Sequence, residues 1–276
     1  MKRQPCRATV GACAFASLRL CVKEFFPMRK QAHFTPELFK FLRQLKRHNN
    51  RDWFQANKSR YEDHVRDPFL KFIEDFRPRL HKISPHFFAD PGRSGGSLLR
   101  IYRDMRFRPE GDPYQTMAAA RFPHMAWKQT RTPGFYLHLE SGTSFLGCGL
   151  WHPDPETRNK VVEAIVKNSS QWKKAVSGKR FKAMCELSGG SMKRMPPGYD
   201  SNHPLADDLR RKDFITVTYF TDEQVWATDF LDRVTRACEA TGPFMEFLTR
   251  ALGLPWSSHD QPMSREVLSI ESPIAE

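Results

Sequence analysis

Apolar residues recur at helical spacing in the first third of the chain and at alternate positions after it. The pair Thr35–Pro36 suits a helix N-cap followed by the first helical position, and apolar residues then return every three or four positions. Three helices are predicted in this part, beginning near Pro36, Arg51 and Asp67. Pro78 is expected to kink the third helix near its end.

Beyond a Gly- and Ser-containing loop at residues 89–97, the apolar residues alternate, which indicates strands. Five strands are predicted, at residues 97–104, 119–127, 134–140, 144–151 and 214–220. The third and fourth are predicted to form a hairpin in which Glu140 pairs with Ser144 across a three-residue loop.

The remaining pattern predicts two further helices and one irregular region. One helix starts at Asp154–Pro155, and the other runs from Thr228 to about Leu252 with an interruption at Gly242–Pro243. Residues 177–212 are expected to be irregular. Helices followed by hairpin-connected strands predict an α+β fold, in which helices pack on one face of an antiparallel sheet and a helical segment lies at the N-terminal end.

Three stretches of different character divide the 276 residues. Residues 1–27 surround a small apolar block with five basic residues and one acidic residue, which fits a mis-assigned start before Met28, a targeting segment or a disordered extension. Residues 28–256 are predicted to form a single domain. Residues 257–276 are expected to fray, because they have little apolar content.

Charge and composition narrow the class of protein. The formal net charge is +13, and loss of residues 1–27 leaves +9, so an anionic partner is the first expectation. No apolar run approaches the roughly 20 residues that cross a bilayer, so no membrane partner is expected. The six cysteines lack zinc-ligand spacing, and the chain has no nucleotide-cofactor motif. We therefore expect a cytoplasmic protein without a metal or cofactor, and its oligomeric state stays open.

Several blocks of the sequence are similar to a known family. From about Phe34 to Leu252, the chain resembles the family called domain of unknown function 2461. The blocks that carry the resemblance are Asn49–Phe54, Arg100–Phe107, Pro113–Tyr114, Gly134–Glu140, Ser144–Trp151 and Arg211–Phe214. The resemblance implies a single widespread domain and no particular mechanism. It also implies more lysine around Pro113–Tyr114 than this chain has. If those lysines bind an anion in other members of the family, weaker anion binding is expected here.

The segment from residue 100 to residue 106 is the strongest candidate for chemistry. On a strand, alternation would place Arg100, Tyr102, Asp104 and Arg106 on one face, with Arg103 at the changeover. Guanidinium groups bind phosphate or carboxylate in bidentate geometry, and a phenol donates or stacks. The predicted ligand is a small, phosphate-bearing anion, and its predicted binding residues are Arg100, Tyr102, Arg103, Arg106 and Tyr114.

Asp104 and His138 are the predicted catalytic residues, as proton carriers if the ligand is turned over. In the predicted hairpin register, Tyr136, His138, Glu140, Ser144, Leu146 and Cys148 share one face of the sheet. A Cys148–His138 dyad is a further hypothesis on that face. The alternative is a polar face that is solvated or covered by a helix.

Two other functions compete with the anion site. Residues 167–183 contain six basic residues and no acid, with Trp172 and Phe181 among them, which is typical of a surface that tracks nucleic acid. This hypothesis describes a nucleic-acid-binding module without catalysis; alternatively, these two rings reach into the core. The last hypothesis is a structural scaffold, in which Asp104 pairs with an arginine and nothing is bound.

Overall fold

The computed structural model describes residues 31–104, 106 and 111–260. The predicted extension, residues 1–27, lies outside these residues, as does the predicted tail beyond Asp260. Residues 257–260 are tied to the chain before them, because the Asp260 carboxylate accepts hydrogen bonds from the backbone N–H groups of Trp256 and Ser257, each at 2.8 Å.

The helices begin with a segment that precedes the sheet, as predicted. In chain order, the helices of the described residues are α1 (Pro36–Arg47), α2 (Arg51–Ala56), α3 (Lys58–Tyr61), α4 (Asp67–Ile83), α5 (Pro155–Lys167), α6 (Ser169–Ser177), α7 (Lys179–Met184), α8 (Ala206–Leu209), α9 (Asp222–Val225) and α10 (Phe230–Ala251). A π-helical turn, Glu62–Arg66, joins α3 to α4. Helix α1 buries one apolar face, as its sequence pattern requires.

Helix α10 runs without a break through Pro243, so the predicted interruption at Gly242–Pro243 is wrong. Proline removes one backbone donor and costs about 3 kcal/mol in a helix interior. In α10 this cost is offset because Cys238, Phe244 and Leu248 are fully buried on the two sides of it. Residues 177–212 are also less irregular than predicted, because they contain α7, α8 and a short strand at Glu186–Ser188.

The sheet has five antiparallel strands in the order β1-β2-β3-β5-β4. The strands are β1 (Ala118–Pro123), β2 (Gly134–Leu139), β3 (Ser144–Leu150), β4 (Glu186–Ser188) and β5 (Phe214–Phe220). Strand β1 is shorter than predicted, because a 3-10 helix forms at Met125–Lys128.

The strand predicted at residues 97–104 does not form. Ser97 and Leu99 bond to β1 through Arg121 and Ala119, but the chain then leaves β1 and pairs with residues 113–115 instead. Because the partner changes after Leu99, each pairing is only an isolated bridge, Leu98 with Ala120 and Tyr102 with Tyr114.

The β2–β3 hairpin has a register one residue away from the predicted one. Four residues, Glu140–Thr143, form the loop, and the Thr143 N–H donates to the Glu140 carbonyl at 3.0 Å. His138 therefore pairs with Phe145 instead of Leu146. A slip of one residue exchanges the faces of a strand, so Phe145 joins the face of His138, and Leu146 and Cys148 are buried on the other face.

Helices α4 and α10 pack against the buried face of the sheet, α10 directly on β3. Phenylalanine rings join these layers: Phe76 of α4 lies 5.0 Å from Phe122 of β1, and Phe230 of α10 lies 5.2 Å from Phe220 of β5. Cys148, Cys185 and Cys238 are free and buried in this core. Burial raises the pKa of the Cys185 thiol to about 12, so this thiol stays protonated.

Within the described residues, no helix is long and apolar enough to cross a membrane. The same part of the chain brings together no group of three metal-ligating side chains.

Candidate ligand-binding site

One asparagine ties the loop between α1 and α2 to the segment around Tyr114. The Asn49 amide donates to the Tyr114 carbonyl and accepts from the Tyr114 N–H, each at 3.0 Å. Asn50 caps α2, since its side chain accepts from the Trp53 N–H at 2.9 Å. Two blocks that are far apart in the sequence, Asn49–Phe54 and Pro113–Tyr114, are therefore held together.

Residues 101–103 and 113–115 form a short two-stranded ribbon. The Arg103 N–H donates to the Pro113 carbonyl at 2.9 Å, and the Gln115 N–H donates to the Ile101 carbonyl at 2.7 Å. The third block, Arg100–Phe107, thus begins next to the other two. Ile101 is buried, whereas Arg100, Tyr102 and Asp104 are exposed. The predicted alternation of faces holds over these four residues, although no strand forms.

Three tyrosine rings surround Phe54 at this meeting point. Tyr114 stacks on Phe54 with ring centroids 4.1 Å apart, and Tyr61 and Tyr102 lie 5.5 Å and 5.7 Å from it. Tyr102 also contacts Tyr114 at 5.3 Å. Tyr114 is almost fully buried, and half of Tyr102 is exposed. The buried ring of Tyr114 therefore holds the half-exposed ring of Tyr102 by direct contact.

Burial raises the pKa of Tyr61 to about 12, the largest cause being loss of hydration around the phenolate. Below pH 10 the phenol is neutral in both the folded and the unfolded chain. Above it, the unfolded chain ionises first, so the protein should lose about 2 to 3 kcal/mol of unfolding free energy by pH 12 through this group. We expect the unfolding free energy of Tyr61→Phe to fall correspondingly less over this pH range, as measured by urea unfolding at increasing pH.

The matched control for this experiment is Tyr219→Phe, because Tyr219 is 72% exposed and shows no comparable burial. The unfolding free energy of this variant should fall with pH as in the wild type. An equal fall in both variants would contradict the assignment of the alkaline effect to Tyr61.

Asp104 and Arg106 form an exposed ion pair on the segment that follows Tyr102. The Arg106 guanidinium donates to both carboxylate oxygens of Asp104, with Nη2 to Oδ2 at 2.6 Å. Hydrogen bonds from the Arg106 side chain and backbone lower the pKa of Asp104 to about 2. Asp104 is thus a carboxylate throughout the neutral range, and it fixes the direction of Arg106.

Arg100 and Arg103 differ from Arg106, since the described residues offer neither side chain an ion pair or hydrogen bond. Arg100 lies close enough to Asp104 for its charge to contribute to the lowered pKa of that carboxylate. Burial and the nearby Tyr102 raise the pKa of Tyr114 above its usual value. The charge of Arg51, which is similarly close to Tyr114, reduces this rise. Arg51 therefore lies near Tyr114, and Arg100 lies near Asp104.

His138 lies on the open face of the sheet, the face opposite to the helices α4 and α10. Its contacts there are with β2, β3 and the loop that joins them. Its Nδ1 is 3.3 Å from the Tyr136 hydroxyl, its Nε2 is 3.4 Å from Glu140 Oε2, and its ring stacks on Phe145 at 4.8 Å. Across the described residues, no hydrogen bond or ring contact joins it to residues 100–106.

The Cys148–His138 dyad is excluded by the observed register. Cys148 pairs with Phe135 and is buried on the helical side of the sheet, whereas His138 is on the opposite face. The side chains of a strand alternate between faces, so these two groups cannot meet without a change of register.

The basic segment 167–183 exposes its six cations but not its rings. Lys167, Lys173, Lys174, Lys179, Arg180 and Lys182 are exposed, and they form no ion pair with the described residues. Trp172 and Phe181 are buried, and the Trp172 indole N–H donates to Asp208 at 2.8 Å. The two aromatic side chains belong to the core, so they provide no surface on which bases could stack.

Sequence reasoning did not assign roles to Asn49, Arg51, Phe54 and Tyr61, which surround the candidate site. Their signal was present in part, since three of them belong to the block Asn49–Phe54 that carries the family resemblance. The fold supplies what was missing, because the Asn49–Tyr114 bonds and the contacts of Phe54 with Tyr102 and Tyr114 bring this block to Tyr102.

A family model described as "Conserved hypothetical protein (DUF2461)" matches residues 37–247, which is most of the chain. No curated protein matches the chain.

Proposed function

The chain belongs to the DUF2461 family, and from the geometry of its candidate site we propose that it binds a small, phosphate-bearing anion. The proposed binding groups are the guanidinium groups of Arg100, Arg103 and Arg106 and the ring of Tyr102. The arginines would bind the charged group of the ligand, and Tyr102 would stack on a flat part of it or hydrogen-bond to a hydroxyl group.

The observation that carries this proposal is that Arg100 and Arg103, which have no ion pair with a described residue, flank a supported and half-exposed Tyr102 in the sequence. The side chains of Arg100 and Arg103 form no hydrogen bond or ion pair with a described residue, so an arriving phosphate would not have to break one, although Asp104 lies near enough to Arg100 to interact with its charge. Tyr102 is 50% exposed, and Phe54 and Tyr114 hold its ring. Such a ring can stack on a ligand with little loss of side-chain freedom.

The other predicted residues have supporting roles in this proposal. Asp104 orients Arg106, and Tyr114 orients Tyr102. Asp104 is poorly suited to proton transfer, because a carboxylate with a pKa near 2 is a weak base at neutral pH. The contacts of His138 are with Tyr136, Glu140 and Phe145 instead of residues 100–106, so the proposal is one of binding and assigns no proton carrier. We place the protein in the cytoplasm, where thiols such as Cys148, Cys185 and Cys238 stay reduced.

Arg100→Ala is expected to remove most of the stabilisation that inorganic phosphate or pyrophosphate gives to the wild type in a thermal-unfolding assay. A ligand at ten times its dissociation constant stabilises by about 1.4 kcal/mol, which raises the melting temperature by roughly 3 to 5 °C for a domain of this size. Loss of a charge-assisted hydrogen bond should weaken binding about tenfold or more.

Arg180→Ala is the matched control, because Arg180 is also exposed and has no ion pair with a described residue. This variant should keep the wild-type shift. An equal response of Arg100→Ala and the wild type to both anions would refute the proposal, whereas a low melting temperature of Arg100→Ala without ligand would favour the scaffold role.

A further inference from the structure

Four aromatic side chains form a continuous surface on the open face of the sheet. Tyr136 and His138 of β2 lie 5.9 Å and 4.8 Å from Phe145 of β3, and Phe145 lies 6.3 Å from Tyr219 of β5. We call these four residues the aromatic platform. It crosses the three central strands, and Tyr219 is its most exposed member.

Gly147 leaves a shallow hollow beside the platform. It pairs with Tyr136 on one side and with Val217 on the other, so its missing side chain would stand on the same open face. Gly147 is not among the glycines with positive φ, and a Cβ there would meet no atom closer than 3.7 Å. Since neither backbone conformation nor packing requires glycine here, the residue fits a place where a ligand approaches the strand closely.

The charge beside the platform is mainly basic on its β1 side. Arg121 pairs with Tyr136 and is exposed on the same face, and its guanidinium lies 4.7 Å from the ring of Trp127. The ammonium group of Lys128 lies 5.7 Å from the same ring. Acids also border this face: Glu140 is paired with Lys46 at 3.4 Å, Glu186 lies on the edge strand β4, and Asp222 and Glu223 border a cavity together with Tyr219.

From this arrangement we propose that the open face of the sheet binds single-stranded nucleic acid, with bases stacked on the aromatic platform and over Gly147 and with phosphates near Arg121 and Lys128. Aromatic rings on an exposed sheet accept bases of any sequence, because every base has a flat face. The +13 net charge favours a polyanion. It opposes a second copy of this chain, which would carry the same charge.

The test is the fluorescence anisotropy of a fluorescein-labelled oligothymidylate of about 15 nucleotides, titrated with the full chain at low salt. Phe145→Ala and Tyr219→Ala should each weaken binding about 5- to 100-fold. Gly147→Val should also weaken it, because the valine side chain fills the hollow. Affinity of the wild type should fall steeply with salt.

Two controls separate this surface from others. Trp151→Ala removes a ring that is more than half exposed but contacts His152 instead of the platform, and it should bind like the wild type. The double substitution Lys173→Ala and Lys174→Ala tests the basic segment 167–183 and should lower the affinity for the oligonucleotide only slightly. A loss confined to this lysine pair, or unchanged binding by Phe145→Ala and Tyr219→Ala, would overturn the proposal.

Two further outcomes would also overturn it. One is the absence of any binding by wild-type protein with a normal melting curve. The other is a dimer in light scattering that Tyr219→Ala converts to a monomer, since the face would then be an interface between copies. Because Arg100→Ala leaves the platform intact, failure of the phosphate site and failure of this proposal are read from different variants.

Discussion

Gly149→Ala is expected to destabilise the fold by about 3 kcal/mol or more, because a side chain at this position would collide with the neighbouring strand. Gly149 lies in β3, between β2 and β5, with a φ of +126°, a conformation that disfavours a side chain. A Cβ would stand 2.0 Å from the carbonyl oxygen of Phe214 on the adjacent strand. The two strands would have to separate, and urea unfolding measures the cost.

Gly147→Ala is the matched control, because it changes the same residue type two positions earlier in β3. Its φ is not positive, and its Cβ has room, so the unfolding free energy should change by less than about 1 kcal/mol. Equal effects of the two substitutions would contradict the argument from close approach.

Asp213→Ala is expected to cost about 2 to 4 kcal/mol of unfolding free energy. The Asp213 carboxylate is nearly fully buried just before β5, and it accepts from the His152 N–H at 2.9 Å and the Gly190 N–H at 3.0 Å. His152 has a positive φ of 46°, so one of these bonds holds a strained residue. Without the carboxylate, two backbone donors lose their acceptors.

Asp200→Ala provides the comparison for Asp213. Asp200 is exposed, and it too accepts from a backbone donor, the Asn202 N–H at 2.8 Å. Water can replace this bond, so chemical denaturation should detect a loss of less than about 1 kcal/mol. The assignment of a buried anchor to Asp213 is wrong if its replacement costs no more than that of Asp200.

The helices were the part of the fold most readable from the sequence. Helix α1 begins at Pro36 and α5 at Pro155, where the pattern predicted them, because a proline at the first helical position is a local signal. Asp154 also caps α5 through its side chain, whereas the Thr35 side chain makes no capping bond at α1. The start of α4 at Asp67 is likewise as predicted. These signals depend on neighbours within one turn, so a single sequence contains them.

The errors came from features that depend on distant partners. The segment 97–104 has an alternating pattern, but the sequence does not say that its partner changes from β1 to residues 113–115. The hairpin loop has four residues instead of three, and that single residue moved Phe145 onto the face of His138. The sequence pattern therefore did not predict the aromatic platform, because the platform depends on the strand register.

The exposure of several residues of the candidate site was predictable from the sequence, but the contacts that support them were not. Exposure of Arg100, Tyr102 and Asp104 follows from alternation, and a pairing of Asp104 with an arginine, which is Arg106 in the structure, was part of the scaffold hypothesis. The burial of Tyr114 was not foreseen, because it results from stacking on Phe54, sixty residues earlier in the chain.

The double hydrogen bond between Asn49 and Tyr114 affects how well the proposed site would distinguish one ligand from another. It fixes residues 113–115 of the ribbon to the helices in the absence of a ligand, and Tyr114 in turn contacts the ring of Tyr102. If the proposed anion binds here, it would meet an ordered surface, and binding would forfeit little conformational entropy. Selectivity of the proposed site would then arise from the match in shape and charge, and a poorly shaped anion would be rejected.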